Sequence, residues 1–233
     1  ASIKYFNKAI ELQPDSADHW TNRAISKRYL GKLDDAANDL NKAVKLSPNF
    51  LLALKHLGEI NFQLNKYPEA IKAYTHLLQV DPDNFQLYCN RGDVYLKLGN
   101  YQQAINDYDQ SLFIKPDNGD VLLTRGVCKI YIKNYTEAIV DFDECIKLNA
   151  EDAEAYYNRA DAKFWLRKLM EAIEDLNIAI KLNPKFAIAY YKRGIANIEL
   201  GLMKEGCIDL KRAIELGYKD AENVHKKYCG KIK

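Results

Sequence analysis

The chain is poor in glycine and proline, and it lacks any long apolar run. It has 11 Gly and 6 Pro among 233 residues, too few for a collagen-like chain or a loop-rich β-sandwich. No run of 18 or more apolar residues occurs, so no membrane insertion is predicted. An excess of one charge is also missing, because 34 Lys and Arg stand against 32 Asp and Glu. The net charge of +2 disfavours a nucleic-acid binder, which usually carries a strongly basic surface.

The sequence also lacks the short motifs that carry catalysis or ligand binding. It contains no Walker A loop, no dinucleotide-binding glycine motif, no H-E-x-x-H zinc motif and no nucleophile elbow. No C-x-x-C pair is present, and the four histidines fall at unrelated places. We therefore predict no catalytic residues, no metal site and no cofactor, and we expect that the chain is not an enzyme.

Cysteine is scarce, and its pattern does not indicate a disulfide framework. The number of cysteines is five, which is odd, and no two lie close in sequence. Unpaired thiols are typical of a reducing compartment. The sequence thus predicts thiols without disulfides and a cytoplasmic location.

What the sequence does contain is a period of 34 residues. All but one of the prolines, Pro14, Pro48, Pro82, Pro116 and Pro184, lie 34 residues or a multiple of 34 apart. Such a fixed period is the signature of a repeat architecture. With these prolines at repeat position 32, six full repeats follow, at 17–50, 51–84, 85–118, 119–152, 153–186 and 187–220.

Each repeat reads as a helix A, a short turn and a helix B. Repeat 85–118 shows apolar or small residues at helical spacing, first at Tyr88, Gly92 and Tyr95 and then at Ala104 and Tyr108. Position 8 is Gly or Ala in all six repeats, and so is position 20. Small residues at two fixed points allow helices to cross closely, since larger side chains would overpack the contact.

These residues resemble the tetratricopeptide repeat family, whose 34-residue helix–turn–helix places small, aromatic and proline residues at the same offsets. The resemblance covers nearly the whole chain. It implies an all-α fold, a right-handed superhelical solenoid of antiparallel helix pairs. It further implies that the A helices line a concave surface that binds a protein partner.

Two segments flank the repeats. Residues 1–16 match the second half of a repeat, so we expect a helix B whose partner helix is missing from the sequence. Residues 221–233 read as a short polar capping helix and tail. We expect that the chain is a fragment of a longer array at its start and that its end is natural.

Position 7 and position 23 of the repeats vary together. Position 7 is Arg and position 23 is Asp in five repeats, and both are absent from repeat 51–84. This predicts contact between the two positions, either between helices A and B or between neighbouring repeats. An anion site is the functional alternative, and a structural role that fixes helix register is favoured. The predicted charge ladder consists of Arg23, Asp39, Arg91, Asp107, Arg125, Asp141, Arg159, Asp175, Arg193 and Asp209.

Positions 2, 5, 9 and 12 or 13 of helix A form a separate stripe, because their spacing follows the helical repeat. The resemblance places this stripe and position 6 beside it on the concave surface, where some family members use Asn at position 6 to bind a ligand's backbone. Acidic residues and a C-terminal set of aromatic residues lie there, and aromatic residues are common in binding hot spots. The candidate partner-binding residues are Asn22, Asn90, Asp93, Tyr131, Tyr157, Asn158, Asp161, Trp165, Tyr191 and Lys192.

The sequence favours a protein-interaction scaffold that binds an extended peptide or a helix with apolar and basic anchors. Family members that clamp a C-terminal carboxylate need Lys and Asn at set positions of three successive repeats, and no three repeats here supply them. Two alternatives remain, a substrate-docking region of a larger enzyme and a self-assembling scaffold that associates through the uncapped first helix.

Overall fold

The computed structural model describes residues 2–230, and these residues form fourteen helices and no strand. The predicted all-α fold is confirmed. Within the same residues, no helix combines the length and the apolar character needed to cross a bilayer. The chain divides into two compact units, Ala1–Pro116 and Asp117–Lys233.

The first unit contains seven helices. They are α1 (Ser2–Leu12), α2 (Ala17–Tyr29), α3 (Leu33–Leu46), α4 (Leu51–Gln63), α5 (Tyr67–Val80), α6 (Phe85–Lys97) and α7 (Tyr101–Ile114). Consecutive helices pack against one another, and the A helices α2 and α4 also touch. The A helices of this unit are α2, α4 and α6, and the B helices are α1, α3, α5 and α7.

The second unit also contains seven helices. They are α8 (Gly119–Tyr131), α9 (Tyr135–Leu148), α10 (Ala153–Trp165), α11 (Leu169–Leu182), α12 (Ala187–Glu199), α13 (Met203–Glu215) and α14 (Asp220–Cys229). The A helices α8, α10 and α12 contact one another in sequence order. Helix α14 packs on α13 at the position where the sequence predicts a capping helix.

The turn from helix A to helix B uses one backbone conformation throughout. Repeat position 15 has a positive φ in every repeat, and it is Gly in three of them, with φ of 73° at Gly31 and Gly99 and 83° at Gly201. Asn65, Lys133 and Arg167 occupy the same place with φ between 57° and 63°. This left-handed residue ends helix A. The backbone N–H of the following residue can then donate a hydrogen bond to the last turn of helix A, as Lys32 N does to Lys27 O at 3.0 Å.

The small residue at position 8 matches the size of the residue at position 24. A Cβ on Gly126 would lie 2.6 Å from Cε1 of Phe142, and a Cβ on Gly58 would lie 2.8 Å from Cε1 of Tyr74. Where position 8 is Ala instead of Gly, position 24 is the smaller Leu, as in the buried pair Ala160 and Leu176. In five repeats helices A and B therefore approach by one of two matched combinations. The last repeat combines Gly194 with Leu210, and there the backbone oxygen of Gly206 also lies close to Gly194.

One prediction about the cysteines is wrong. Cys207 on α13 and Cys229 on α14 form a disulfide, with their Cα atoms 5.7 Å apart. The packing of α14 on α13 brings together two residues that are 22 positions apart in sequence. Disulfides are rare in reducing compartments, so the cysteine argument for a cytoplasmic location no longer holds.

Candidate functional site

The A helices of the first unit enclose a cavity of about 200 Å³. Helices α2, α4 and α6 supply most of its wall, and a B-helix residue, Tyr74 of α5, reaches it from behind. The lining residues are Arg28, Glu59, Phe62, Gln63, Tyr74, Asn90 and Asp93. Three successive repeats thus build one cavity, and it contains two of the predicted partner-binding residues, Asn90 and Asp93.

Asp93 lies in this cavity with one oriented oxygen. The hydroxyl of Tyr108 donates a hydrogen bond to its Oδ1 at 2.8 Å, and the side chain stays exposed on the cavity side. Partial burial is the main influence on the Asp93 pKa and raises it, while the Tyr108 hydrogen bond and the charge of Lys97 act in the opposite direction. Asp93 forms no ion pair within residues 2–230.

Arg28 and Glu59 form an ion pair on the opposite wall of the cavity. His56 Nδ1 lies 3.2 Å from Arg28 Nη1 and 3.4 Å from Glu59 Oε2, so the three side chains make one cluster. The hydrogen bond with His56, aided by Arg28, lowers the Glu59 pKa to about 2. Glu59 is thus a fixed anion whose charge is already balanced by the chain.

The predicted Asn residues of the first unit have different surroundings. Asn90 is half-buried, and its Oδ1 accepts from Gln86 Nε2 at 3.0 Å. Asn22 is exposed on α2 and does not line the cavity. The structure therefore brings Asn90 and Asp93 together and leaves Asn22 apart from them.

In the second unit, Asp161 and Lys192 contact each other. Nζ of Lys192 lies 2.6 Å from Oδ1 of Asp161, and both side chains are mostly shielded from solvent. The same ammonium lies 5.8 Å from the ring centroid of Phe164. Asn158 is half-buried on the same helix as Asp161. Asp161 and Lys192 thus form an internal contact between α10 and α12.

The predicted aromatic residues divide into an exposed and a packed group. Trp165 is 54% exposed and stacks on Tyr135, with ring centroids 6.1 Å apart, and Tyr131 is 59% exposed. Tyr157 packs on Phe186 at 5.1 Å and is half-buried, and burial raises its pKa.

Tyr191 packs on Tyr218 at 4.9 Å and is half-buried in the same way. Position 5 of helix A therefore turns partly toward the neighbouring helices, and Trp165 and Tyr131 are the more accessible anchors.

The acidic residues of the A helices occupy two different positions along the helix. Asp18, Asp120 and Glu154 stand in the first turn of their helices, where a carboxylate interacts favourably with the helix dipole. Glu59, Asp93 and Asp161 stand two turns later, at repeat position 9. Since helix stability accounts for the first group, we regard the position-9 acids as the candidates for a binding role.

Each Arg of the charge ladder contacts the Asp of its own repeat. Arg91 Nε and Nη2 donate to the two carboxylate oxygens of Asp107 at 2.8 and 2.7 Å, and Arg159 binds Asp175 in the same two-pronged way. The pairs of Arg23, Arg125 and Arg193 have matching geometry. The contact joins helix A to helix B, and the Asp residues are buried.

The Arg residues also reach the preceding repeat. The remaining nitrogen, Nη1, donates to Asn7 from Arg23 at 3.0 Å, to Thr75 from Arg91 at 3.0 Å, and to Asn177 from Arg193 at 2.6 Å. The acceptor stands at repeat position 25, which the sequence analysis overlooked. The column could have been found because it is polar in each copy that another repeat follows, namely Asn7, Asn41, Thr75, Asp109, Asp143 and Asn177, while the last copy has Lys211.

Lys at position 11 was also overlooked as a ladder member. Nζ of Lys27 lies 2.7 Å from Asp39, and that of Lys163 lies 2.7 Å from Asp175. Lys129 contacts Asp141 at 2.8 Å in the same way. In three repeats the buried Asp therefore binds two cations.

Repeat 51–84 has a cleft beside the missing ladder pair. Leu57 and Ala73 occupy the ladder positions and are buried. They line a cavity of about 200 Å³ together with Asn41 and Asn61. Asn41 stands at position 25, where other repeats hold the acceptor for Nη1.

Comparison with known proteins gives relatives of part of the chain. The small glutamine-rich tetratricopeptide repeat-containing protein 2 of Mycosarcoma maydis is 39% identical over 74 residues, which is 32% of this chain and 21% of that protein. The Hsp70-Hsp90 organizing protein of Triticum aestivum is 29% identical over 73 residues, 31% of this chain and 13% of that protein. The matched part of the chain spans about a fifth or less of each relative's length.

Solved structures with the same fold cover more of the chain. YrrB, described as a TPR protein with an unusual peptide-binding site, superposes with a TM-score of 0.70 at 23% identity, over 79% of this chain and 95% of its own. A tetratricopeptide repeat protein of Parabacteroides merdae gives a TM-score of 0.70 at 22% identity, over 90% and 97%. At these identities the likeness concerns the fold.

Family models connect sequence and fold. Models described as tetratricopeptide repeat match residues 5–37, 85–118, 119–152 and 153–186, and one described as TPR repeat matches residues 58–99. The matches together run over residues 5–37 and 58–186, well over half of the chain. The chain belongs to the tetratricopeptide repeat family.

Proposed function

We propose that the chain is a non-catalytic protein-interaction scaffold and that it binds a peptide or helical segment of a partner on the face formed by its A helices. The observation that carries this proposal is the cavity between α2, α4 and α6, which contains Asn90 and Asp93. Ligand sites are typically concave and combine apolar walls with a few placed polar groups. Phe62 and Tyr74 supply the first and Asn90 and Asp93 the second.

Repeat arrays present such surfaces because each helix pair contacts only its neighbours, which leaves one face of every A helix uncovered. In the second unit the exposed Trp165, held in a stack on Tyr135, offers an apolar anchor. Buried aromatic anchors contribute much of the binding energy at interfaces. Trp165 and Tyr131 thus extend the proposal to the second unit.

The relatives support a protein partner of some kind. The name of the Hsp70-Hsp90 organizing protein states that it organises two other proteins, Hsp70 and Hsp90. We do not extend a carboxylate-clamp mode to this chain, because position 5 and position 9 of the cavity repeats read Lys55 and Glu59, then Cys89 and Asp93. Glu59 and Asp93 would repel a carboxylate at the place where that mode needs an Asn.

Selection from a random peptide library tests the proposal. A phage-displayed library is panned on the full chain, and enriched peptides are titrated against the double variant Asn90→Ala, Gln63→Ala. The matched control is Asn106→Ala, Gln102→Ala, which changes the same residue types on the exposed face of the B helix α7. Circular dichroism checks that both variants keep their helical content.

We expect enriched peptides to bind the control as tightly as the unaltered chain and to bind the A-helix variant at least about fivefold more weakly, which is about 1 kcal/mol. The proposal is overturned if no peptide is enriched or if the two variants lose affinity equally.

A further inference from the structure

The position-9 acids of the chain differ in how their charge is balanced. Glu59 pairs with Arg28 of the preceding repeat, and Asp161 pairs with Lys192 of the following repeat at 2.6 Å. Asp93 has a hydrogen bond from the neutral Tyr108 hydroxyl and no ion pair within residues 2–230. Lys97, one turn further along α6, is exposed and does not come within ion-pair distance of it in the same part of the chain.

The cavity beside Asp93 has the size for one side chain. Its volume of about 200 Å³ is many times the ~10–15 Å³ that a single water molecule needs by the same measure. Phe62 and Tyr74 line the same cavity as Asp93 and the Arg28–Glu59 pair. Aromatic rings attract a cation electrostatically and also cover the methylene stem of a long basic side chain.

The charges of the residues that line the cavity favour the binding of a cationic group. The lining contains the carboxylates of Glu59 and Asp93 and the guanidinium of Arg28, which leaves one negative charge in excess. Arg28 is paired with Glu59 and forms no ion pair with Asp93 within residues 2–230. A group that desolvates Asp93 without neutralising it would leave a shielded, unpaired carboxylate, which costs free energy.

We propose that the cavity receives a Lys or Arg side chain of a bound partner segment, with its charged end on Asp93 and its stem against Phe62 and Tyr74. This assignment rests on the proposed function and specifies its anchor. The bound cation would pair with Asp93 as Arg28 pairs with Glu59 and as Lys192 pairs with Asp161. The Tyr108 hydroxyl holds the carboxylate in place for that contact.

Small probes test this site without a known partner. N-acetyl-lysine N-methylamide and N-acetyl-arginine N-methylamide are titrated into the ¹⁵N-labelled full chain at constant ionic strength. N-acetyl-norleucine N-methylamide, which has the lysine stem without the charge, is the matched probe. We expect the two cationic probes to shift the amide signals around Asn90 and Asp93, and the norleucine probe to shift them much less.

Two variants locate the effect. Asp93→Asn keeps the shape and the acceptor for Tyr108 and is expected to weaken the cationic probes at least about fivefold. Asp83→Asn, the same change at an exposed position between α5 and α6, should leave their binding unchanged. The assignment is overturned if norleucine binds as well as lysine, or if Asp93→Asn binds both cations as before.

The peptide selection separates this assignment from the proposed function. Enriched peptides that depend on Asn90 and Gln63 but contain neither Lys nor Arg would overturn the basic anchor and leave the scaffold function standing. If the probes bind in a way that depends on Asp93 but no peptide is enriched, the scaffold function is overturned and the cation site stands.

Discussion

The hydroxyl of Tyr108 donates to Oδ1 of Asp93 across the helix pair α6–α7, at 2.8 Å. Tyr108 is buried by its contact with Gly92, where a Cβ would come within 2.7 Å of its ring. One residue of helix B therefore links the packing of the repeat to the carboxylate that faces the cavity. The orientation of Asp93 is set by the fold before any partner arrives.

The electrostatic state of Asp93 predicts a pH-dependent effect of its removal. Burial raises the Asp93 pKa, so the ionised carboxylate is less favourable in the folded than in the unfolded chain. This cost is complete above the raised pKa and vanishes below the ordinary pKa of aspartate. Asp93→Asn, which keeps the acceptor for Tyr108, should therefore raise the free energy of unfolding at neutral pH and lose this advantage as the solution is acidified.

Urea unfolding of the unaltered chain and of Asp93→Asn, from neutral pH to about pH 3, measures this difference. Tyr108→Phe serves as the control, because it removes the hydrogen bond that favours the ionised form and should destabilise the chain most at neutral pH. A constant gain from Asp93→Asn at every pH would contradict the expectation.

The match between position 8 and position 24 predicts a rescue between two mutations. Gly126→Ala places a Cβ against the ring of Phe142, and such overpacking costs about 1–3 kcal/mol. Adding Phe142→Leu reproduces the combination found at Ala160 and Leu176, so the double variant should be more stable than the sum of the two single changes. Thermal or urea unfolding of the four chains gives the coupling, and strict additivity would show that the two sizes are not matched.

The charge ladder predicts a large coupling between Arg91 and Asp107. Their two-pronged contact is mostly shielded from water, and Asp107 is 4% exposed. Removing either partner leaves a buried charge, so Arg91→Ala and Asp107→Ala should couple by about 1–3 kcal/mol in a double-mutant cycle. The exposed pair Lys8 and Glu11 is the control, with a coupling expected to be below about 0.5 kcal/mol. Equal coupling in the two cycles would contradict a structural role for the ladder.

Repeat 51–84 lacks the Arg–Asp pair of the charge ladder, and we expect that two substitutions can introduce it. Ala73→Asp alone buries an unpaired carboxylate next to Leu57 and should be strongly destabilising. Leu57→Arg with Ala73→Asp should recover at least about 1 kcal/mol of that loss, because Asn41 stands where other repeats offer an acceptor to the third nitrogen. Unfolding free energies of the two single variants and the double variant decide this, and a double variant no better than the sum of the singles would refute it.

The disulfide predicts a redox-dependent stability of the last helices. Linking residues 22 positions apart reduces the entropy of the unfolded chain, worth up to about 3 kcal/mol by the loop-closure estimate. Cys229→Ser should lower the stability of the α13–α14 pair by up to that amount and increase amide exchange in α14. Reduction of the unaltered chain should have the same effect, and reduction of Cys229→Ser should have none. An unchanged exchange rate in α14 after both treatments would contradict this.

Much of the fold could be predicted from the sequence because it is repeated. The 34-residue spacing of the prolines and the small residues at positions 8 and 20 predict the helix pairs, and the joint absence of Arg and Asp from repeat 51–84 points to the residues that the structure brings into contact. Comparison among copies within one chain reveals contacts between columns of constant chemistry.

Other contacts could not be predicted in this way. Position 25 varies between Asn, Thr and Asp in the copies that another repeat follows, so a comparison of residue identities does not reveal it, and only its constant polarity indicates a shared role. Tyr157 and Tyr191 lie on the predicted stripe, but each packs on an aromatic residue in the connection after a B helix, Phe186 after α11 and Tyr218 after α13. The disulfide depends on how α14 docks, and the cavity beside Asp93 depends on three repeats at once.

Photo-crosslinking can show whether a partner segment lies on the A-helix face beside Asp93. p-Benzoylphenylalanine replaces Gln63 at the cavity in one chain and Gln102 on the exposed face of α7 in another, and each is irradiated with an enriched peptide. We expect a crosslink from position 63 that is lost when unlabelled peptide is added in excess, and no crosslink from position 102. A crosslink from position 102 with none from position 63 would contradict it.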